Sequence, residues 1–212
     1  MSSEYGKTIA YVDGFNLYYG CLKNTRYKWL NLAKLLQVIL PRNDIEVIHY
    51  FTARVRGRGH NDQTAQRQHA YLEALSTLPS VKITYGHHLS HIVRLPLANP
   101  APGGPRFAEV VRSEEKGTDV NLATQLVHDA HRNLMECAVI VSNDSDFANA
   151  IRICRRELKL PVGVLNPQKR AARTLLKEAT FFNKVREGAL RISQLPSTLR
   201  VGSRQVHRPI GW

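Results

Sequence analysis

Two aspartates, Asp144 and Asp146, follow a short apolar run in the second half of the chain. Residues 138–141 are small or β-branched and have no polar face, which predicts a strand buried on both sides, as the central strands of parallel sheets are. Phe147 and Ile151 then recur at roughly helical spacing, so a helix is expected next. The two carboxylates therefore fall in a strand-to-helix turn at the carboxyl edge of a sheet, where open α/β sheets bind ligands.

A second strand end near the start of the chain carries similar side chains. Residues 8–12 predict a strand, which is followed by Asp13 and, three positions later, by Asn16. A further acid, Asp119, opens a predicted helix that leads into the strand at 138–141. If the first and fourth strands are neighbours, as in a doubly wound sheet, all four aspartates reach one crevice.

Carboxylates that converge in this way disfavour one another's charge unless a cation lies among them. Mg²⁺ or Mn²⁺ fits such a cluster, because these ions bind a few carboxylate oxygens, keep several waters and take further ligands from a phosphate. A bound ion can polarise a phosphodiester and activate a water for hydrolysis. Helix capping is the structural alternative for Asn16, Asp119 and Asp146, since Asp and Asn are favoured N-caps.

Predicted strands and helices alternate along nearly the whole chain. This pattern predicts an α/β fold with a doubly wound, mainly parallel, Rossmann-like sheet of order 3-2-1-4-5 and helices on both faces. A sixth, edge strand is possible at residues 180–185. Residues 87–112, which surround a Pro- and Gly-rich stretch, predict an inserted hairpin or loop. We expect one domain over residues 1–194, followed by a basic C-terminal tail at 195–212.

The charge of the chain favours a polyanionic partner. Thirty Lys and Arg residues against seventeen Asp and Glu give a net charge of +13 and a pI near 10.0, which favours nucleic acid over a neutral metabolite. Seven basic residues follow the predicted strands or flank the acids and are candidate phosphate contacts: Arg54, Arg56, Arg58, Lys116, Lys169, Arg170 and Arg173. The alternative is a solvated basic surface.

Several other classes of protein and site are disfavoured by the sequence. No glycine-rich loop matches a P-loop or dinucleotide fingerprint, and no Ser or Cys stands with a placed His for nucleophilic catalysis. The three cysteines are widely spaced, which favours a reducing cytoplasm over a disulfide framework. No apolar stretch approaches the ~18 residues of a membrane span. His128 and Asp129 are expected to face solvent.

Three short motifs carry a resemblance to a known family: Tyr11-Val-Asp-Gly-Phe-Asn-Leu17, Lys116-Gly-Thr-Asp-Val-Asn-Leu122 and Val141-Ser-Asn-Asp-Ser-Asp-Phe147. Their order and spacing resemble the NYN domain, a PIN-like nuclease domain of the LabA-like kind. The resemblance implies a PIN-like sheet, ribonuclease activity and a metal site at Asp13, Asp119, Asp144 and Asp146, with Asn16 close by. This chain differs from common family members at Asn143, where glycine is frequent, and at Gln125, where an acid is frequent.

The resulting hypothesis is an endoribonuclease that depends on Mg²⁺ or Mn²⁺ and hydrolyses single-stranded or structured RNA. The alternative is an RNA-binding regulatory protein with the same fold and a weakened or inactive site, which the loss of an acid at Gln125 would favour. A phosphatase acting on a small phosphoester would need the same acids, but it would leave the basic surface without a role. No membrane partner is expected, and the sequence leaves the oligomeric state open.

Overall fold

The computed structural model describes residues 5–55 and 62–212 and contains a six-stranded parallel sheet. The sheet strands are β1 (Lys7–Asp13), β2 (Asp44–Thr52), β3 (Val81–Tyr85), β6 (Cys137–Val141), β7 (Val162–Asn166) and β8 (Phe181–Lys184). Their spatial order is β3-β2-β1-β6-β7-β8, so the predicted order of the first five is confirmed and β8 extends it as the sixth, edge strand. The α/β class and the doubly wound topology are likewise confirmed.

In the part of the chain that the structure describes, four further strands form two hairpins outside this sheet. They are β4 (His87–Pro96), β5 (Phe107–Lys116), β9 (Thr198–Val201) and β10 (Arg204–His207). The β4–β5 pair is the predicted insertion, here a ten-residue antiparallel ladder. The β9–β10 pair lies in the segment expected to be a tail, and the buried side chain of Val206 joins it to the core.

Within the described residues, seven helical segments connect the strands: α1 (Gly14–Leu17, continued by a π turn, Tyr18–Leu22), α2 (Leu32–Ile39), α3 (Thr64–Leu75), α4 (Thr118–His131), α5 (Ala148–Arg152, with a 3-10 turn, Ser145–Phe147, before it and a π turn, Ile153–Glu157, after it), α6 (Arg173–Glu178) and α7 (Glu187–Ile192). Among the described helices, none has the length and apolar character needed to cross a bilayer.

Two apolar cores cover the two faces of the sheet. Successive side chains of a strand point to opposite faces, so Ala10 and Val12 join the core under α2, α3 and α7, while Ile9 and Tyr11 join the one under α4, α5 and α6. All five residues of β6 are buried, as expected for a central parallel strand with helices on both sides. This packing fixes β1 and β6 as neighbours, and their carboxyl ends carry the candidate site.

Candidate functional site

Asp13 is the last residue of β1 and the N-cap of α1. Its side chain is only 5% exposed, and its Oδ1 accepts a hydrogen bond of 2.9 Å from the backbone N–H of Asn16, which caps the helix. Gly14 allows this tight turn, because a Cβ there would lie 2.7 Å from the ring of Tyr50. Oδ2 accepts a 3.0 Å bond from the Ser142 hydroxyl, which ties the end of β1 to the end of β6.

Asp144 occupies the equivalent turn after β6. Its Oδ1 accepts a 3.0 Å hydrogen bond from the backbone N–H of Asp146, and its own N–H donates to the Ser142 hydroxyl over 3.1 Å. Ser142 therefore bridges the two strand-end aspartates. Asp13 and Asp144 act as helix caps, whereas Asn16, Asp119 and Asp146 cap no helix, so the capping alternative does not account for these three residues.

Asp119 and an acid that the sequence analysis missed, Glu115, enter the site from the junction between β5 and α4. Gly117 joins the two elements with a φ of 94°, a left-handed conformation that favours glycine. The Glu115 carboxylate accepts a 3.0 Å hydrogen bond from the N–H of Thr118 at the start of α4. Glu115 directly precedes the Lys116-Gly-Thr-Asp119 motif. The direction of its side chain depends on the β4–β5 hairpin, and the motif alone does not predict that hairpin.

These residues line one cleft of about 250 Å³ at the carboxyl edge of the sheet, which we name the acidic cleft. It is lined by Asp13, Phe15, Asn16, Tyr19, Glu115, Thr118, Asp119, Asp144 and Gln168. Three of the four predicted aspartates therefore meet in it. Asp146 lies exposed outside this lining, although its charge acts on Asp119. The convergence inferred from the strand order is thus present in the folded chain.

The electrostatics of the acidic cleft reflect a surplus of negative charge. The pKa of Asp13 is raised to about 6, mainly by burial. The charges of Asp119 and Asp144 also act to raise this pKa, whereas the hydrogen bonds from Asn16 and Ser142 act to lower it. Partial burial, together with the charges of Asp144, Glu115 and Asp146, also raises the pKa of Asp119. A cation in the cleft would relieve both effects.

The donor set fits a hard divalent ion, although no ready-made metal cage is present. Within the described ranges, no three His, Cys, Asp or Glu side chains stand close enough together to hold an ion. Mg²⁺ rarely needs such a cage, because one or two carboxylates, several waters and a substrate phosphate complete its shell. Asp13, Asp119 and Asp144 offer these oxygens on one cleft, so the residues present fit Mg²⁺ or Mn²⁺.

Asn16 and Asn143 connect the acidic cleft to the loop after β7. The side-chain oxygen of Asn16 accepts a 3.1 Å bond from the N–H of Asn143, which leaves the Asn16 amide N–H₂ as the group able to donate to a ligand. The Asn143 side chain donates to the carbonyl of Arg170 over 3.0 Å and accepts from the N–H of Ala172 over 2.8 Å. Asn143, which stands where glycine is frequent in the NYN domain, therefore holds this loop in place.

The predicted basic contacts separate into distinct groups. Lys169 and Arg170 line a larger groove next to the acidic cleft. Arg54 places its guanidinium 5.1 Å from the ring centre of Tyr85, and Arg173 is exposed in α6. Lys116 does not line the acidic cleft, and its ammonium pairs with Glu114 at 3.0 Å. Arg56 and Arg58 lie outside the described residues.

Helix α4 corrects one expectation. Asp129 does not face solvent: it is 3% exposed and accepts hydrogen bonds of 2.8 Å from the Tyr11 hydroxyl and from the side-chain amide of Gln125. His49 lies 3.6 Å from the same carboxylate. His128 is exposed, as expected. Gln125 thus belongs to a buried network below the acidic cleft, in which its amide is one of the donors that compensate the burial of Asp129.

Comparison with known proteins agrees with this architecture. The chain is 31% identical to the 6-hydroxy-3-succinoylpyridine 3-monooxygenase HspA of Pseudomonas putida in an alignment 242 positions long, which covers 100% of this chain and 77% of that protein. The crystal structure of a protein of unknown function from Vibrio parahaemolyticus is similar in fold, with a TM-score of 0.54 at 16% identity over 88% of this chain and 98% of the other. The family model of the NYN domain matches residues 7–185. The chain therefore belongs to the NYN domain family.

Proposed function

We propose that the protein is an endoribonuclease that depends on Mg²⁺ or Mn²⁺ and hydrolyses RNA phosphodiester bonds in the acidic cleft. One observation carries the proposal: Asp13, Asp119 and Asp144, from three separate parts of the chain, line the same cleft at the carboxyl edge of the sheet. Membership in the NYN family, which belongs to the PIN-like nuclease superfamily, supports the same reaction class. The net charge of +13 supports RNA as the substrate.

Five residues in and beside the cleft have separate tasks in this proposal. Asp13, Asp119 and Asp144 hold the divalent ion, and Asp146 adds negative charge from outside the cleft lining. When bound, the ion lowers the pKa of a water and neutralises charge on the phosphate. Asn16 donates its free amide hydrogens to a phosphate oxygen, because its own oxygen accepts from Asn143.

The runner-up is an RNA-binding regulatory protein that keeps the fold and the basic surface without useful turnover. The observation in its favour is Gln125, which stands where family members often carry an acid and donates its amide to the buried Asp129. Against this alternative, Glu115, which directly precedes the Lys116-Gly-Thr-Asp119 motif, brings a further carboxylate to the cleft. The monooxygenase name belongs to the Pseudomonas relative, whereas the carboxylates of the present cleft favour hydrolysis.

The experiment that tests the proposed function measures cleavage of labelled single-stranded RNA with Mg²⁺, with Mn²⁺ and with EDTA. We expect cleavage only with a divalent ion and a loss of at least about 100-fold in Asp144→Asn. Asn keeps an oxygen that can cap the following turn, so folding should persist. Glu157→Gln, a change in the π turn after α5, is the matched control. Undiminished cleavage by Asp144→Asn refutes the proposal, while RNA binding without cleavage by the wild type supports the regulatory alternative.

The proposal also concerns the cellular compartment in which the protein works. Cys21, Cys137 and Cys154 are free thiols, and we propose that the protein works in the reducing cytoplasm, where thiols persist. Cys137 and Cys154 are buried in the two cores. We also propose that residues 1–194 act as one catalytic domain.

A further inference from the structure

A large groove of about 980 Å³ opens beside the acidic cleft, and we name it the basic groove. It runs between the segment from α1 to Tyr27 on one side and the loop after β7 on the other. Asn16, Tyr19 and Gln168 line both the groove and the acidic cleft. The two depressions are therefore continuous, and a chain molecule with one unit in the cleft can extend into the groove.

Four cations line the basic groove. Lys23 and Arg26 come from one wall, and Lys169 and Arg170 come from the other. All four are exposed, and within residues 5–55 and 62–212 none of them forms an ion pair with a carboxylate. Their charges are thus available to a polyanion.

Two further polar groups in the lining of the groove form hydrogen bonds within the fold. Glu187, the acid in its lining, accepts a 3.0 Å hydrogen bond from the hydroxyl of Tyr27. The loop that carries Lys169 and Arg170 is held by the two hydrogen bonds of Asn143. Asn143, the residue next to Asp144, therefore holds the loop that carries Lys169 and Arg170 close to the acids of the cleft.

An aromatic platform stands where the groove meets the cleft. Tyr19 exposes 59% of its surface, yet its ring is supported by Phe15, stacked at a centroid distance of 6.4 Å and an angle of 19°. Tyr18 packs edge-on against it at 5.2 Å, and the ammonium of Lys23 lies 5.0 Å from its centre. An exposed ring held in place beside cations is the combination with which proteins bind single-stranded nucleic acids, because every base has a face that can stack.

We infer that the basic groove binds single-stranded RNA, with one base stacked on Tyr19 and neighbouring phosphates on Lys23, Arg26, Lys169 and Arg170. This inference rests on the proposed function for the identity of the polymer and for the phosphate that enters the acidic cleft. Single strands are selected because the bases of a duplex are already stacked and paired, so that none of them can lie on the tyrosine ring. Tyr19 is then a substrate-binding residue that selects unpaired RNA.

The first experiment measures binding by fluorescence anisotropy in EDTA, with a labelled RNA of about 12 nucleotides and a duplex of the same sequence. We expect Tyr19→Ala to weaken binding of the single strand by about 10-fold or more and Tyr19→Phe to retain it within about 2-fold, since stacking needs the ring and not the hydroxyl. Leu134→Ala, a change at an exposed residue before β6, is the control at the opposite edge of the sheet. Thermal unfolding verifies that each variant is folded.

The second experiment repeats the titration over a range of salt concentrations. Lys169→Gln and Arg170→Gln should each reduce the slope of log K against log salt by about 0.7, the value for one phosphate contact on a single strand. Arg132→Gln, an exposed cation before β6, should leave the slope unchanged. Equal affinity of the wild type for single strand and duplex, or undiminished binding by Tyr19→Ala, overturns the inference.

A parallel cleavage assay separates this inference from the proposed function. Metal-dependent cleavage together with undiminished binding by Tyr19→Ala refutes the stacking site and leaves the nuclease in place. Binding that depends on Tyr19 without any cleavage supports the groove and refutes the nuclease. A wild type that binds no RNA refutes both.

Discussion

Asp13 supports the fold and is also one of the residues that we propose to hold the metal ion. Both of its oxygens accept hydrogen bonds, one from the helix it caps and one from Ser142 on the neighbouring strand end. Burial and the nearby Asp119 and Asp144 nevertheless work against its charge. A side chain that the fold needs as an acceptor is therefore costly to keep ionised unless a cation is bound.

Because burial and the neighbouring carboxylates disfavour the ionised form of Asp13, the effect of Asp13→Asn on the free energy of unfolding should depend on pH. Because the pKa of Asp13 rises from 3.8 to about 6 on folding, the folded state retains the proton more strongly, and the free energy of unfolding falls as pH rises from about 4 to 6. In EDTA the variant should match the wild type near pH 4 and exceed it by up to about 3 kcal/mol at pH 7. Urea unfolding at several pH values measures this difference. A difference that does not vary with pH would contradict the assigned cause.

The amino-acid sequence identifies the site residues only in part. Asp13 and Asp144 are predictable because each directly follows an apolar strand, and such strand ends meet at one edge. Glu115 is not predictable in this way, since it enters the cleft only through the path of the β4–β5 hairpin. Asp129 was predicted wrongly because its compensation comes from Tyr11, more than one hundred residues earlier in the chain.

At the scale of elements, short turns position the chemistry. Helix α1 begins at Gly14 because the Asp13 cap closes the first turn directly after β1. The periodicity of apolar residues indicates where a helix packs, but it does not reveal the polar turn that begins it. The predicted sheet order needed only the alternation of strands and helices, which explains why it held over the first five strands.

Gly117, the junction between β5 and α4, has a left-handed backbone conformation that makes it sensitive to substitution. Gly117→Ala places a Cβ in a left-handed conformation, while the nearest atoms stand 3.9 Å away, so that backbone strain is the main cost. We expect a loss of about 1 kcal/mol and a melting temperature lower by about 2–4 °C. Gly188→Ala, within α7 and with open space around it, is the control and should be neutral or stabilising. An unchanged melting temperature for Gly117→Ala would show that the junction bears no strain.

At the scale of the whole molecule, the C-terminal segment closes one core rather than trailing from it. The Trp212 ring lies 5.9 Å from that of Tyr71, and the indole N–H of Trp29 donates to the carbonyl of Pro196 over 2.7 Å. The sequence predicts only a basic tail here, because a polar and irregular composition does not reveal a few long-range apolar contacts. In the structure, Trp212 packs against the apolar core that contains Tyr71.

Trp212→Ala tests this docking directly. Removal of the indole exposes part of Tyr71 and should cost about 1–2 kcal/mol, which lowers the melting temperature by about 2–8 °C. The adjacent Ile210 is 93% exposed, so Ile210→Ala should leave the melting temperature unchanged. Equal melting temperatures for the two variants would argue against a stabilising role for the segment.

The central claim is that the carboxylates of the acidic cleft together bind a divalent ion. Electron paramagnetic resonance of Mn²⁺ titrated into the protein at pH 7 tests this claim without any need for turnover. We expect one Mn²⁺ bound per chain in the wild type, binding at least about 10-fold weaker in Asp144→Asn, and wild-type binding in Glu157→Gln. Absence of bound Mn²⁺ in the wild type, or equal affinity in Asp144→Asn, would contradict it.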